Sequence, residues 1–119
     1  MSVSILILTL NEEHNLPGCL ESVKWSDDIV VLDSFSTDRT TELAQLLGSR
    51  VVQRKFDNWA SHQNWAMENI AFKHEWVFYL DADERMTDDL RAEISAIVEQ
   101  MRGETVTQLV RRDVDGQAG

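Results

Sequence analysis

The sequence predicts an α/β protein, a Rossmann-like half in which a mainly parallel sheet is flanked by helices. Three observations predict it. Short apolar runs recur along the chain, stretches of helical period separate them, and polar clusters follow three of the runs. A run that is apolar on both alternating faces needs cover on each side, and crossover helices provide it with a right-handed connection.

Val3 to Thr9 is such a run and is the first strand, placed centrally. Leu16, Leu20 and Val23 then recur at helical spacing around Pro17, which a first helical turn tolerates, giving a short helix to about Lys24. Asp28 to Asp33, with Ile29-Val30-Val31-Leu32 inside it, is the second strand. Ser36 or Asp38 is positioned to cap a helix whose expected inward face is Leu43, Leu46 and Leu47, with Gly48 as its left-handed terminator. Arg50 to Gln53 is a short third strand, and a helix is expected from Asn58 to about Phe72 through Trp59, Ala66 and Ile70. Glu75 to Leu80 is the fourth strand. From the N-cap Thr87, the residues Leu90, Ile94, Ile97, Val98 and Met101 trace an apolar stripe. Thr105 to Arg112 resembles the start of a further strand, and the segment from Asp113 to Gly119 is expected to be mobile. The expected organisation is therefore one domain over 1–102, with 103–119 holding a further strand and a tail.

With 119 residues and 43% apolar content, the chain has material for one core. Its 11 Lys and Arg against 21 Asp and Glu give a formal charge of −10, which repels nucleic acid. Anionic nucleotides fit only where a metal or a local set of donors offsets that field. Cys19 is the only cysteine, so no internal disulfide forms and a reducing compartment fits. No run approaches the roughly 18 to 20 apolar residues of a membrane span, so the expected location is the cytoplasm, with peripheral contact at the cytoplasmic membrane face left open.

The most informative motif is Asp81-Ala82-Asp83, at the end of Trp76-Val77-Phe78-Tyr79-Leu80. In an extended segment alternate side chains share a face, so both carboxylates point one way. Held together, they call for a cation such as Mg²⁺ or Mn²⁺ bridging a diphosphate. The competing reading is that they end a strand and begin a turn. Ligands of parallel sheets sit beyond the strands' carboxyl ends. Three polar clusters fall there: Thr9-Leu10-Asn11-Glu12-Glu13, Asp33-Ser34, and Asp81-Ala82-Asp83-Glu84. Asp33 is suited to accept a hydrogen from a nucleobase, Thr9 and Asn11 to hold base or ribose, Asp81 to meet ribose or metal, and Asp83 to ligate metal directly. Each has a structural competitor, with Asp33 capping the turn before Ser36, Asn11 a turn residue, and Glu12 and Glu13 solvated. His14, His62 and His74 are too far apart for a local metal motif and read as structural or surface residues. Trp59, Trp65 and Trp76 could stack on a sugar or base, but buried packing is the favoured reading, and Trp25 also suits the core.

Ile5-Leu6-Ile7-Leu8-Thr9-Leu10-Asn11-Glu12-Glu13, Val30-Val31-Leu32-Asp33-Ser34-Phe35-Ser36-Thr37-Asp38 and Trp76 to Glu84, in this order and spacing, resemble family 2 glycosyltransferases over about residues 3 to 90. The likeness is strongest to the branch that decorates lipopolysaccharide core or other cell-surface glycans. The resemblance implies a GT-A fold, a nucleotide-diphosphate sugar donor, a glycan or glycolipid acceptor, a divalent cation (Mg²⁺ or Mn²⁺) at the DxD motif and inversion at the anomeric carbon. Carried over by position, Thr9, Asn11, Glu12, Asp33, Ser34, Gln63, Asp81 and Ala82 fall in the nucleotide pocket, and Asp81 and Asp83 at the metal. Gln63 stands where many relatives carry Arg or Lys, so it brings a hydrogen bond and no charge. Arg39, Arg54 and Lys55 could compensate, though each also reads as an ordinary surface cation.

Relatives continue into an acceptor-binding half that carries the general base. No catalytic base is assigned here, since Glu84 sits too near the metal side. A truncated, non-catalytic nucleotide-sugar-binding fragment is thus one rival expectation. Another is a phosphotransferase with Asp81 as nucleophile, although such enzymes usually place the motif after the first strand.

Overall fold

The computed structural model describes residues 2–100 and 108–111. Nine elements alternate along them: β1 (Val3–Thr9), α1 (Leu16–Ser22), β2 (Ile29–Asp33), α2 (Thr40–Leu46), β3 (Arg50–Gln53), α3 (Trp59–Asn69), β4 (Trp76–Asp81), α4 (Asp88–Glu99) and β5 (Leu109–Arg111). The strands form one sheet in the order β3-β2-β1-β4-β5. The first four are parallel, and β5 runs antiparallel to β4. The expected domain limit at residue 102 and the expected mobile tail lie outside the described residues.

Alternation within β1 builds the two faces. Val3, Ile5 and Ile7 join Leu16, Cys19 and Leu20 of α1, Ala44 of α2, and Ile94 and Ile97 of α4 on one side. Leu6 turns to the other side, with Val30, Leu32 and Val77, beneath Ala66, Met67 and Ile70. The sheet is therefore covered on both faces, as a strand with two apolar faces requires. Cys19 is fully buried, and burial pushes its thiol up to about 12, so it packs as an inert small residue.

The caps follow the sequence closely, except at α2. Thr87 accepts from the Leu90 amide, Pro17 sits in the first turn of α1, and Gly48 has φ +95°. The cap expected for α2 is corrected: its N-cap is Arg39, with no side-chain bond, while Asp38, one residue earlier, accepts from the Thr40 amide at 2.9 Å and Ser36 turns to Asp33.

Three further expectations are corrected. The buried face of α2 is Thr40 and Ala44, with Leu43 half-buried, whereas Leu46 is 70% and Leu47 51% exposed. Leu46 lies two residues from Ala44, about 200° around the helix, so both cannot face the sheet. Helix α3 ends at Asn69, and its inward stripe is His62, Ala66 and Ile70 at a spacing of four residues. Trp59, one residue after the N-cap Asn58, is 52% exposed and not packed inside. Trp76 is buried as expected, and Trp25 and Trp65 are partly buried against the two core clusters. The position of Met101 lies outside the described residues.

At the amino edge of the sheet Asp28, nearly buried, accepts from Ser4 Oγ at 2.6 Å, Arg50 Nη2 at 2.8 Å and the Lys73 amide at 2.7 Å, tying three neighbouring segments together. Among the described residues no helix is long and apolar enough to cross a membrane.

Candidate functional site

The strand order locates the site. From β1 the chain steps outward to β2 and β3, then returns across to β4 on the other side of β1. The β1–β4 junction is thus the topological switch point, where loops diverge and leave a crevice beyond the carboxyl ends. A cleft of about 310 Å³ opens there, lined by Leu8, Thr9, Leu10, Glu12, Ser34, Phe56, Trp59, His62, Asp81, Ala82 and Asp83. Thr9, Glu12, Ser34, Asp81, Ala82 and Asp83 are among the residues that the sequence motifs single out. A second cleft, sharing Leu8, Trp59 and Asp81 with the first, is lined by Gln63.

Asp33 and Asn11 do not line either cleft. Asp33 is fully buried and accepts four bonds from its own chain: Thr9 Oγ1 at 2.7 Å, Ser36 Oγ at 2.5 Å, the Ser36 amide at 2.8 Å and Gln53 Nε2 at 3.2 Å. Burial alone would push its carboxyl up. The bonds from Ser36, Thr9 and Gln53 outweigh burial and hold it below the ordinary range. Direct acceptance from a base is therefore not what this geometry offers, because the turn-capping competitor occupies the carboxylate. Asn11 sits at φ +54°, a left-handed conformation that Asn tolerates. Its Oδ1 accepts from the Thr37 amide at 2.8 Å and its amide donates to Ser36 Oγ at 2.8 Å. The Glu12 and Glu13 amides donate to Thr40 Oγ1 and Asp38 Oδ2. Together these bonds lock the loop after β1 to the loop after β2, fixing the floor on which Thr9 and Glu12 stand.

The acidic wall is built differently. Glu84 accepts from the Asp81 amide at 2.9 Å and from Gln108 Nε2 at 3.1 Å, so it braces the turn, and it lines the second cleft beside Gln63. Arg85 donates to the carbonyls of Ala82 and Glu84 at 3.0 and 2.8 Å. Burial, then the neighbouring charges of Glu84, Asp83 and Glu12, push the Asp81 carboxyl up. A hard divalent cation answers that arrangement, and carboxylate oxygens are the donors that Mg²⁺ and Mn²⁺ take. Among the described residues no group of three or more His, Cys, Asp or Glu side chains is arranged to hold a metal. Asp81 and Asp83 would supply part of a shell, with substrate oxygens and water supplying the rest, the usual arrangement for a metal carried on phosphates.

The sequence profile of Glycosyl transferase family 2 matches residues 4–117. The chain belongs to this family. An uncharacterized glycosyltransferase of Rickettsia bellii is 35% identical over 96 residues, 80% of this chain and 32% of that protein. The lipopolysaccharide core biosynthesis glycosyltransferase LpsC of Rhizobium meliloti is 34% identical over 76% of this chain and 35% of its own length. The chain thus spans about a third of the curated relatives it matches. Glucosyl-3-phosphoglycerate synthase from Mycobacterium tuberculosis, solved with Mn²⁺, UDP and its product, superposes with a TM-score of 0.59 at 22% identity over 71% of this chain and 35% of that one. That likeness shows the fold, and the GT-A arrangement expected from the motifs is the one observed.

In this family 2 chain the cleft has an aromatic lining that the sequence analysis did not identify, Trp59 being expected in the core and Phe56 given no role. Phe56 and Trp59 are 42% and 52% exposed, meet edge to face with ring centroids 5.7 Å apart, and line the same cleft as the acidic turn. His62 lies beneath Phe56, with centroids 5.3 Å apart. The signal available was the register of α3: setting Ala66 and Ile70 inward places His62 on the same stripe and leaves Trp59 at the helix's exposed start.

Proposed function

We propose that the chain is the donor-binding portion of a family 2 glycosyltransferase, which binds a nucleotide-diphosphate sugar in the β1–β4 cleft and presents it for transfer to an acceptor hydroxyl. The observation that carries this reading is the meeting of Thr9, Glu12 and Ser34 with Asp81 and Asp83 around one cleft at the switch point of the sheet. Asp81 and Asp83 would hold Mg²⁺ or Mn²⁺. The bound cation would neutralise the charge that develops on the leaving diphosphate.

The chain's own residues supply the rest. Thr9, oriented by its bond to Asp33, and Ser34 form the floor, and Asn11 and Asp33 act by holding that floor in place. Phe56 and Trp59 offer flat apolar surface to a base or sugar ring, while Gln63 reaches the adjoining cleft as an uncharged donor. The likeness to LpsC supports a role in cell-surface polysaccharide or lipopolysaccharide assembly; an acceptor at the cytoplasmic membrane face and inversion at the anomeric carbon complete the proposal. The UDP and Mn²⁺ named with the mycobacterial enzyme support a uridine nucleotide and that metal as first probes.

Calorimetry with UDP, with and without Mn²⁺, tests the proposal. Binding should require the metal, and Asp83→Ala should abolish it while the melting temperature stays within a degree or so, because an exposed surface position is usually neutral to stability. Equal UDP binding by Asp83→Ala would overturn the assignment.

A further inference from the structure

His62 presents to the cleft a hydrogen-bond donor that the protein leaves unused. Only 1% of the residue is exposed, yet it lines the cleft together with the aromatic pair and with Leu8 and Thr9 of β1. Its Nδ1 lies 3.0 Å from Arg54 Nη1. A guanidinium only donates, so Nδ1 accepts and the proton of the neutral ring resides on Nε2. Arg54 is itself fixed by Asp57, through 2.9 and 3.2 Å bonds to the two carboxylate oxygens. Burial and the adjacent Arg54 charge both lower the His62 pKa, which keeps the ring neutral.

Among the described residues Nε2 has no hydrogen-bond partner. The sealed side-chain polar atoms without partners there are Trp25 Nε1 and Ser49 Oγ, and Nε2 of His62 is not one of them. It therefore opens outward, and the space that the ring lines is the cleft. A donor set in an otherwise buried ring is costly unless something accepts from it.

We propose that His62 is a base-reading residue, its Nε2–H donating to a carbonyl oxygen of the nucleobase in the nucleotide-sugar donor. The inference rests on the function proposed above and adds the group that would read the base. Two features favour the base over the diphosphate. His62 meets the Phe56 ring, and Trp59, Leu8 and Leu10 line the same cleft, which suits a flat ring, whereas the carboxylates that would gather a metal and its phosphates come from the end of β4, Asp81, and the turn after it, Asp83. A neutral imidazole donates one directed bond and brings no charge, which matches a carbonyl better than a phosphate.

The test compares UDP with pyrophosphate, both with Mn²⁺, by calorimetry on the full chain. His62→Phe should weaken UDP about tenfold, the loss of one well-placed hydrogen bond, and leave pyrophosphate unchanged. His62→Gln, whose amide oxygen can accept from Arg54 while its amide nitrogen donates, should recover most of the UDP affinity. Nitrogen-detected NMR of the unsubstituted chain needs no variant: His62 should be the Nε2–H tautomer, and its Hε2 should move downfield as UDP is added. Unchanged UDP affinity in His62→Phe, an equal fall for UDP and pyrophosphate, or an Hε2 resonance indifferent to UDP would each overturn the assignment. Failure of the unsubstituted chain to bind either probe with Mn²⁺ would instead overturn the donor-site reading itself.

Discussion

Asp33 shows how a single carboxylate can serve a binding site without touching a ligand. Its four inward bonds make it the joint between β1, the turn after β2, and β3. Removing it leaves the Ser36 amide and the Thr9 hydroxyl without their acceptor, so Asp33→Ala should cost roughly 2 to 4 kcal/mol of stability, more than a single unsatisfied group usually costs. Nucleotide affinity should fall with it. Urea unfolding and calorimetry on the same variant check this, and lost binding at unchanged stability would show instead that Asp33 meets the base directly. The residue's importance was legible in the sequence from its place at a strand end, and so were its two candidate roles, base acceptor or cap of the turn before Ser36, but not the choice between them. Ser36 and Gln53 become its partners only once the loop closes and β3 pairs with β2. Asp81 and Asp83 were legible as acids at a strand's end, but the common direction expected from a strand period of two is corrected: β4 stops at Asp81, and Asp83 sits in the turn that the Glu84 amide closes on the Asp81 carbonyl.

At the scale of elements, one contact sets how firmly the site is held and another how firmly the opposite, amino edge of the sheet is tied. Arg85 crosses from the acidic turn to lie over α1, where a Cβ on Gly18 would meet its Nε and Nη2 at 2.7 Å. Gly18→Ala should therefore push the guanidinium off the Ala82 and Glu84 carbonyls while α1 gains up to about 1 kcal/mol of helix propensity. Overall stability should barely change, and Mn²⁺-dependent UDP affinity should drop about three- to tenfold as the turn loosens. A melting curve paired with a UDP titration separates the two effects. The other contact is Asp28. Burial raises its pKa, but bonds from Ser4, the Lys73 amide and Arg50 lower it further, so the folded value lies below the unfolded one. The stability it contributes is complete above about pH 3.9 and is lost as pH falls through the folded value. Asp28→Asn should accordingly be less stable than the parent at pH 7 by roughly 1 to 3 kcal/mol, and the gap should narrow below about pH 3.9, measured by urea midpoints across that range. Elements with strong caps, such as α4 behind Thr87, could be drawn from sequence alone. The inward face of α2 could not, because four leucine and alanine candidates crowd its last turns and only packing under Thr40 and Ala44 selects the register.

For the whole molecule the governing quantity is charge. A formal charge of −10 and the carboxylates of Glu12, Asp81 and Asp83 around one cleft disfavour a free diphosphate, so metal and nucleotide should each bind weakly alone and tightly together. Near 100 times its dissociation constant, a ligand specific to the folded state adds about 2.7 kcal/mol, which for a domain of this size is a rise in melting temperature on the order of 10 °C. UDP with Mn²⁺ should produce a shift of that order at saturation, whereas UDP in chelator and Mn²⁺ alone should each give far less, the excess over their sum measuring the coupling. Salt supplies the sign check. Between 0.05 and 0.5 M NaCl, roughly a threefold change in Debye length, screening should improve the residual metal-free binding of UDP, because the repulsion it relieves comes from the whole acidic surface. Metal-free binding that instead weakens with salt would mean that a local cation, with Arg54 the nearest charge to His62, outweighs the acidic field and already receives the diphosphate.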